Sequence, residues 1–485
     1  MNTREPTQLR YPEDYLQIID NGIEEKSNPK RMIIIGAGLA GLVAGHLLKA
    51  AGHDVVILEA NKRIGGRVYT IRKPLTEGNY LDVGAMRIPN YHRLVHAYIK
   101  KFNLRIHPFI NKTPEDIIFV NNVRTTREAY EANPDILNFP LPEHEKGKTA
   151  EQLLQEAIDP FVELYTNSDE QEQRLLEEKY KGYSIGEFLQ KNPLGPSLSP
   201  YAIRLIGIIS GLEGFPQGSF VDVITDILEP LTVENVYFDA INNGNDRLPY
   251  SISKQLEENI KIEQRVISIR QSSSHITVQT DKKQTYKGDY VINTSPFSVF
   301  QFIDVIPYES ISFQKWQIIR QLLHIPSVKI GIEFKERFWE DLKMGNAISD
   351  LPSRFSYIPS YGKGTKGPAV LLASYSWGED ALLWTSTTPT LMVQMILKDL
   401  AKIYGNIVYK QFSRSIYFNW SLNPFSAGCF TLLSPLLGAA VTEDFIRQPE
   451  GRIHFAGEHT SDFNGWMEGA IQSGIRAAME VNQRE

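Results

Sequence analysis

The fold is decided by the stretch Met32-Ile33-Ile34-Ile35-Gly36-Ala37-Gly38-Leu39-Ala40-Gly41. Four consecutive apolar residues predict a buried strand, and the glycine pattern G-x-G-x-x-G follows it directly. Residues 39–51 have the apolar spacing of a helix, and residues 55–59 have the composition of a second strand. Strand, glycine turn, helix and strand in this order predict a βαβ unit that binds a dinucleotide.

Each glycine of the motif has a physical purpose, and an acidic residue completes it. Gly36 permits the tight turn, Gly38 lets the backbone approach a pyrophosphate, and Gly41 allows close packing of helix on strand. Glu59 ends the second predicted strand, about 20 residues further on, where a carboxylate accepts hydrogen bonds from ribose hydroxyls. We therefore predict an α/β protein with a Rossmann-type cofactor domain.

Composition narrows the class of protein. The 485 residues are enough for two or three domains, and 42% hydrophobic with 22% charged residues is typical of a globular protein. A net charge of −6 argues against nucleic acid or an anionic membrane as partner. The single cysteine, Cys429, allows no internal disulfide, and no spacing suggests a metal site. Residues Met1 to Asp20 contain no apolar core of signal-peptide length, and the apolar runs are too short to span a bilayer, so we expect a cytoplasmic protein, with a precursor whose targeting segment was removed as the alternative.

The sequence predicts a nucleotide-binding layer whose chain is interrupted by insertions from other domains. From about residue 149 to 229 apolar residues recur at helical spacing, whereas the flanking stretches revert to strands. We predict a nucleotide-binding domain of residues 30–75, 240–318 and 430–485 and a mixed-sheet substrate domain of residues 5–25, 76–127 and 320–427. A helical domain, residues 128–230, is predicted as an insertion.

Two further segments suggest which dinucleotide is bound. Gly65-Gly66-Arg67 follows the second strand, where a guanidinium suits a pyrophosphate, although a solvated surface turn is the alternative. The segment Leu58-Glu59-Ala60-Asn61-Lys62-Arg63-Ile64-Gly65-Gly66-Arg67 resembles the flavin amine oxidase family. Gly457-Glu458-His459-Thr460 and Gly465-Trp466-Met467-Glu468-Gly469-Ala470 are similar to that family's second flavin segment. The resemblance implies FAD as cofactor.

The resemblance also implies the cofactor-binding residues. Together with the glycine motif of Gly36, Gly38 and Gly41 they come from both ends of the chain. They are Leu39, Ala40, Glu59, Ala60, Arg67, Gly84, Ala85, Met86, Arg87, Val266, Glu458, Gly465, Trp466, Met467 and Ala470. Val266 is expected against the adenine, and the helix that begins at Met467 has an N-terminus suited to flavin oxygens.

The branch of the family is suggested by Gly84-Ala85-Met86-Arg87-Ile88-Pro89, which resembles L-amino-acid oxidases. In these enzymes the arginine binds the substrate carboxylate, and a planar guanidinium can do so through two parallel hydrogen bonds. An ion pair between Arg87 and Asp82 is the structural alternative.

The other substrate residues also follow from the resemblance. Tyr375 is expected to share the carboxylate, with a tyrosine packed in a strand as the alternative. Gly465 and Trp466 are expected to shape the pocket, and Trp420 forms another wall unless it is a core residue. Lys329 matches a lysine that the family places near flavin N5 through a water, although the solvent face of a strand would explain it equally.

Two features depart from the expected pattern. Some L-amino-acid oxidases have a histidine base in the helical domain, but residues 227–231 contain none, so either Glu229 substitutes or no side-chain base is needed. We favour direct hydride transfer from the substrate α carbon to flavin N5, with positioning providing much of the rate. Cys429 lies in a segment similar to the covalent flavin site of mitochondrial monoamine oxidases, which leaves a covalent link open.

We therefore expect an oxidase that converts an L-amino acid and molecular oxygen into a 2-oxo acid, ammonia and hydrogen peroxide. Alternatives are an amide-forming amino-acid monooxygenase, an amine or polyamine oxidase, and a flavoprotein without turnover. The preferred side chain cannot be inferred. A homodimer is expected only because it is the commonest closed assembly.

Overall fold

The computed structural model describes residues 9–224, 235–435, 437 and 443–484. Its helices are Glu13–Asn21, Leu39–Ala50, Arg93–Lys101, Arg127–Ala132, Ala150–Thr166, Glu170–Tyr180, Ile185–Gln190, Pro200–Ser210, Phe220–Asp222, Arg247–Ser253, Phe297–Phe300, Phe313–Gln321, Phe338–Asp341, Gly378–Leu382, Pro389–Tyr404, Ile407–Gln411, Glu443–Arg447 and Met467–Asn482. Short 3₁₀ turns are Pro134–Leu137, Leu212–Gly214, Tyr308–Ser310, Leu383–Ser386 and Glu458–Thr460.

The strands form several sheets. In chain order they are Arg31–Ile35, Asp54–Leu58, Thr70–Ile71, Leu81–Asp82, Ile88–Pro89, Ile106–Phe109, Ile117–Val120, Val123–Thr126, Phe238–Ile241, Ile260–Lys261, Val266–Gln271, Ile276–Thr280, Thr285–Gly288, Tyr290–Asn293, Asp304–Ile306, Leu323–Ile325, Ser327–Phe334, Ala347–Ser349, Phe355–Tyr357, Ala369–Trp377, Phe412–Asn419, Phe430–Leu432 and Ile453–Phe455.

A five-stranded parallel sheet carries the glycine motif. Arg31–Ile35 lies in its centre, between Asp54–Leu58 on one side and Tyr290–Asn293 on the other. Ile260–Lys261 and Ile453–Phe455 form the two edges, also parallel. After Arg31 the central strand is an unbroken apolar run, because a parallel sheet is covered on both faces. The predicted Rossmann-type α/β fold is confirmed.

Two helices from opposite ends of the chain cover one face of this sheet. Leu39–Ala50 and Met467–Asn482 touch directly, because Gly474 has no side chain; a Cβ there would lie 2.6 Å from the carbonyl oxygen of Ala40. Both helices bury apolar residues in a core shared with the N-terminal helix Glu13–Asn21. Residues far apart in sequence thereby build one end of the cofactor domain.

A seven-stranded mixed sheet provides the second layer. Its long strands Ser327–Phe334 and Ala369–Trp377, second and third from one edge, pair antiparallel over their whole length. All eight residues of Ser327–Phe334 are buried, so charged side chains on this strand are enclosed in protein. The predicted hairpin near residues 266–280 is also present, as Val266–Gln271 paired antiparallel with Ile276–Thr280.

The helical stretch predicted from about residue 149 forms five helices between Ala150 and Asp222, which pack around a separate apolar core. The domain boundaries given above remain a prediction. Residues 227–231, which include the candidate base Glu229, lie outside the described residues. No helix in the described part is both long and apolar enough to cross a membrane. Within the same part, no group of three or more His, Cys, Asp or Glu is placed to hold a metal.

Candidate active site

A cavity of about 390 Å³ opens at the carboxyl ends of the parallel strands and extends to the seven-stranded sheet. This is the position at which open α/β sheets bind ligands. Every residue predicted from the sequence for cofactor or substrate lines the cavity, with the exception of Gly41. The cavity is thus surrounded by segments that are far apart in the chain: residues 30–75, residues 240–318, the C-terminal stretch, residues 84–87, Lys329 and Tyr375.

The glycine motif divides into packing and ligand positions. Gly36 has φ +104°, and a Cβ on Gly41 would lie 2.1 Å from the Gly36 carbonyl oxygen, so both are required by the backbone. A Cβ on Gly38 would meet nothing closer than Gly66 Cα at 3.9 Å. Packing therefore does not demand Gly38, and a side chain there would occupy the cavity where a pyrophosphate is expected.

Glu59 stands beside the glycine turn that leads into the helix Leu39–Ala50. Its carboxylate accepts hydrogen bonds from the backbone N–H groups of Ala37 at 2.7 Å and Asn61 at 2.8 Å. Burial raises the pKa of Glu59, and these hydrogen bonds oppose the rise. The strand ends at Leu58, so Glu59 belongs to the turn that faces the cavity and not to the strand. This position suits the ribose hydroxyls of a dinucleotide.

Arg67 and Glu458 link the two predicted flavin segments. Arg67 Nη1 lies 2.5 Å from Glu458 Oε1 and donates to the carbonyl of Cys429 at 3.2 Å. Burial raises the pKa of Glu458, but the Arg67 guanidinium and hydrogen bonds from neighbours outweigh it, and the pKa is lowered overall. The other carboxylate oxygen of Glu458 accepts from Gly465 N at 2.8 Å. A buried carboxylate therefore holds the loop before Trp466 in place.

Both helices that point into the cavity begin without a side-chain cap. Gly38 precedes Leu39–Ala50, and Trp466 precedes Met467–Asn482. The first N–H groups of a helix have no partner within it and carry partial positive charge, so each start favours anionic or carbonyl oxygens. Two such starts with Glu59 and Arg67 between them fit a flavin dinucleotide, with phosphates at one helix and the flavin ring oxygens at the other.

Arg87 lies in the cavity wall, and one acceptor among the described residues takes a hydrogen bond from its guanidinium. Its Nη1 donates to Asn111 Oδ1 at 2.5 Å, and its guanidinium carbon lies 5.2 Å from the centre of the Phe238 ring. Within the described residues, no carboxylate pairs with it. The alternative of an ion pair with Asp82 is wrong, because that carboxylate instead accepts from Thr70 Oγ1 and the Asn245 N–H.

Lys329 is fully enclosed beneath Tyr375. It is 1% exposed, donates to the carbonyl oxygens of Gly84 at 2.7 Å and Asp82 at 3.3 Å, and lies 4.3 Å from the centre of the Tyr375 ring. The alternative that it lies on a solvent face is wrong, since the whole strand is buried. Burial lowers the pKa of Lys329 to about 7, a shift that the Asp82 carboxylate opposes and the Arg87 guanidinium supports. Burial raises the pKa of Tyr375, so its hydroxyl remains protonated.

Aromatic side chains close the substrate end. Trp420 is 2% exposed and donates from its indole to the Val83 carbonyl at 2.8 Å, so it is both a core residue and a cavity wall. Trp466 is half-buried, and Gly465 keeps a positive φ of +79° beside Phe430. These walls leave an apolar space next to the polar group of Arg87, Lys329 and Tyr375.

His92 and the helical stretch also contribute to the cavity, although the sequence predicts neither of them there. His92 is 1% exposed, contacts Trp466 edge to face at 4.9 Å and lines the cavity. Burial lowers the pKa of His92 to about 3, so it is neutral at physiological pH. Leu212 and Phe215 form a wall opposite Phe430. Their roles depend on contacts between segments far apart, for which the sequence holds no local signal.

Cys429 lines the cavity next to Arg67. Its thiol donates to the Ile325 carbonyl at 3.1 Å, and burial raises the pKa of the thiol to about 12. A thiol of this kind is a poor nucleophile, because the thiolate is the reactive form. The covalent link to flavin stays an open prediction that this environment disfavours.

Comparison with known proteins identifies the class. The model of the family "Flavin containing amine oxidoreductase" matches residues 39–482. The chain therefore belongs to the flavin-containing amine oxidoreductase family, is an oxidoreductase, and has FAD as its cofactor. The residues around the cavity, from Ile35 to Ala470, lie within the matched range with the exception of Ile35, Gly36 and Gly38.

Individual relatives refine this placement. The chain is 42% identical to YobN of Bacillus subtilis (strain 168), provisionally named an L-amino-acid oxidase, over 97% of this chain and 98% of that protein. It is 35% identical to the L-amino-acid oxidase of Siganus canaliculatus, over 97% and 88% of the two chains. The resemblance to L-amino-acid oxidases is confirmed. Cyclohexylamine oxidase from Brevibacterium oxydans IH-35A shares the fold, with a TM-score of 0.75 at 19% identity over 94% of this chain and all of that one.

Proposed function

We propose that this protein oxidises an L-amino acid, using FAD, to the 2-oxo acid, ammonia and hydrogen peroxide, with oxygen and water consumed. The observation that carries the proposal is Arg87, a guanidinium in the wall of the flavin cavity with no carboxylate partner among the described residues. A simple amine offers nothing for this group to bind. An α-amino acid offers a carboxylate that matches its planar donors.

The surrounding residues support this orientation of the substrate. Tyr375, with its protonated hydroxyl, lies beside Lys329 in the same wall and can donate a second hydrogen bond to the carboxylate. The aromatic walls of Trp420 and Trp466 exclude water, which strengthens the charged contact. These residues would hold FAD beside the substrate, and FAD would supply a two-electron acceptor for a hydride from the substrate α carbon and for the passage of those electrons to oxygen.

The proposed chemistry uses no side-chain base. His92 is the single histidine among the described residues that line the cavity, and its pKa of about 3 makes it a weak base at neutral pH. Lys329 is committed to two backbone carbonyls. An amino acid that arrives with a neutral amine needs no base, and its fixed position against the cofactor provides much of the acceleration.

The test compares each L-amino acid with its decarboxylated amine in a peroxide assay. We expect peroxide from amino acids only, and we expect Arg87→Ala to lower kcat/KM about 100-fold or more, because one charge-assisted bidentate contact is lost in a desolvated site. Retention of wild-type kcat/KM by Arg87→Ala would overturn the proposal. The product mass separates the oxidase from a monooxygenase, since the latter yields an amide.

A further inference from the structure

Arg87 is held from behind by one neutral side chain. Asn111 Oδ1 accepts a hydrogen bond from Arg87 Nη1 at 2.5 Å, and Asn111 is absent from the residues that line the cavity. In the described part of the chain, Asn111 is the only side chain or backbone group that accepts a hydrogen bond from Arg87. Because an asparagine presents no charge, it fixes the guanidinium without neutralising it.

Asn111 is itself fixed to the seven-stranded sheet. Its backbone carbonyl accepts from Asn346 Nδ2 at 3.2 Å, and the preceding carbonyl of Ile110 accepts from the same amide at 3.1 Å. Asn346 is 2% exposed, and its own side-chain oxygen accepts from Ile358 N at 2.9 Å. The hydrogen bonds therefore run from a buried residue that directly precedes the strand Ala347–Ser349, through Asn111, to the guanidinium.

The Phe238 ring limits the remaining freedom of Arg87. The guanidinium carbon lies 5.2 Å from the centre of this ring, a favourable cation–π distance. Asn111 uses one N–H of Nη1, so within the described residues the edge formed by Nε and Nη2 keeps both of its donors for a ligand. A guanidinium edge of two parallel N–H donors matches the two oxygens of a carboxylate.

We infer that Asn111 is a positioning residue that presents the Nε–Nη2 edge of Arg87 to the substrate carboxylate while leaving its charge unpaired. The inference rests on the proposed function for the identity of the ligand. It assigns the recognition of the carboxylate to a neutral residue outside the cavity as well as to the arginine. A carboxylate at position 111 would occupy the same guanidinium that the substrate needs.

The test uses the holoenzyme and two substitutions of similar size. In Asn111→Asp, an internal ion pair competes with the ligand, so we expect KM for amino acids and the Kd of benzoate, followed by the flavin absorption spectrum, to rise about 10- to 100-fold. In Asn111→Leu the hydrogen bond is lost but no competing charge appears, so we expect a rise of about 3- to 10-fold. In both variants kcat at saturation changes less than KM.

The matched control is Asn406→Asp, which adds the same charge at an exposed helix start outside the cavity and is expected to leave both constants unchanged. Unchanged benzoate affinity in Asn111→Asp, with normal FAD content, would overturn the inference. A loss of kcat with unchanged KM and Kd would also contradict it, since that pattern indicates a general structural role. Normal benzoate affinity in Arg87→Ala would overturn the proposed function. Normal benzoate affinity in Asn111→Asp together with weakened affinity in Arg87→Ala would overturn only the inference about Asn111.

Discussion

Lys329 shows how burial changes the chemistry of a single residue. An ammonium group in water has a pKa near 10.5, but here burial lowers the pKa of Lys329 to about 7. Two carbonyl oxygens and the Tyr375 ring replace its water. The group therefore changes its charge near neutral pH while it stays beside the proposed carboxylate site.

This shift has a consequence for stability with a definite sign. Between pH 7 and 10.5 the unfolded chain binds a proton at this lysine that the folded chain does not, so the free energy of unfolding rises with pH across the window. The expected slope from this residue is about 1.4 kcal/mol per pH unit. In Lys329→Met, we expect this part of the slope to disappear.

Urea unfolding of the wild-type holoenzyme and the variant at pH 7.5, 8.5 and 9.5 and constant salt measures the difference. Other titrating groups cancel when the two proteins are compared. Parallel curves of free energy against pH would show that the lysine is not buried in the way described. A lowered kcat in the same variant would in addition support its position next to the cofactor.

Among the elements, the helix Leu39–Ala50 packs closely on the parallel sheet, and we expect cofactor binding to depend on this close contact. Gly41 and Gly45 both lie on Leu39–Ala50, yet they differ in what a Cβ would meet. At Gly41 it would meet the backbone oxygen of Gly36 at 2.1 Å, which cannot move without displacing the turn. At Gly45 it would meet the tip of the Ile57 side chain at 2.7 Å, which can rotate.

Alanine at the two positions therefore has different expected effects. Gly41→Ala should push the helix start away from the strand and lower FAD affinity about 100-fold or more, as the N–H groups at the helix N-terminus lose their alignment. Gly45→Ala is the matched control and should retain FAD, aided by the better helix propensity of alanine. The ratio of flavin to protein absorbance after purification measures both. Full flavin content in Gly41→Ala would contradict the expectation.

The same elements show what the sequence could and could not predict. The βαβ unit was predictable because strand, glycine turn and helix are local and strongly patterned. Glu59 and Gly38 followed from it by spacing. His92, Phe215 and Asn111 could not be predicted, because each acts through contacts with residues more than 20 positions away. The buried state of Lys329 was ambiguous for a related reason, since burial of one strand depends on the layers above and below it.

For the whole molecule, the cavity is the place where distant parts of the chain meet. Its walls come from the parallel sheet, the seven-stranded sheet and the helical stretch. A ligand that binds all three stabilises the folded state by mass action. The homodimer expected from the sequence stays a prediction, and light scattering can measure the oligomeric state.

Removal of FAD is therefore expected to lower Tm of the whole protein by several degrees. At a free cofactor concentration of about 1,000 Kd the stabilisation is about 4 kcal/mol. Scanning calorimetry of holoenzyme, apoprotein and apoprotein with ADP provides the comparison. ADP should restore only part of the shift, because it reaches Glu59 and Gly38 but not Gly465. Equal Tm values for holoenzyme and apoprotein would contradict the expectation that FAD binds a cavity formed by the parallel sheet, the seven-stranded sheet and the helical stretch.

The ion pair of Arg67 with Glu458 also determines how late during translation the cofactor domain can be completed. The two residues are 391 positions apart, and at about 5 to 20 residues per second the ribosome needs about 20 to 80 seconds to cover that interval. Throughout this time the nascent chain has its glycine turn but lacks both the edge strand Ile453–Phe455 and the second helix. Cofactor insertion must therefore wait until the ribosome has passed residue 482, so the polypeptide depends on early partial folding, or on chaperones, to keep an unfinished sheet edge from aggregating.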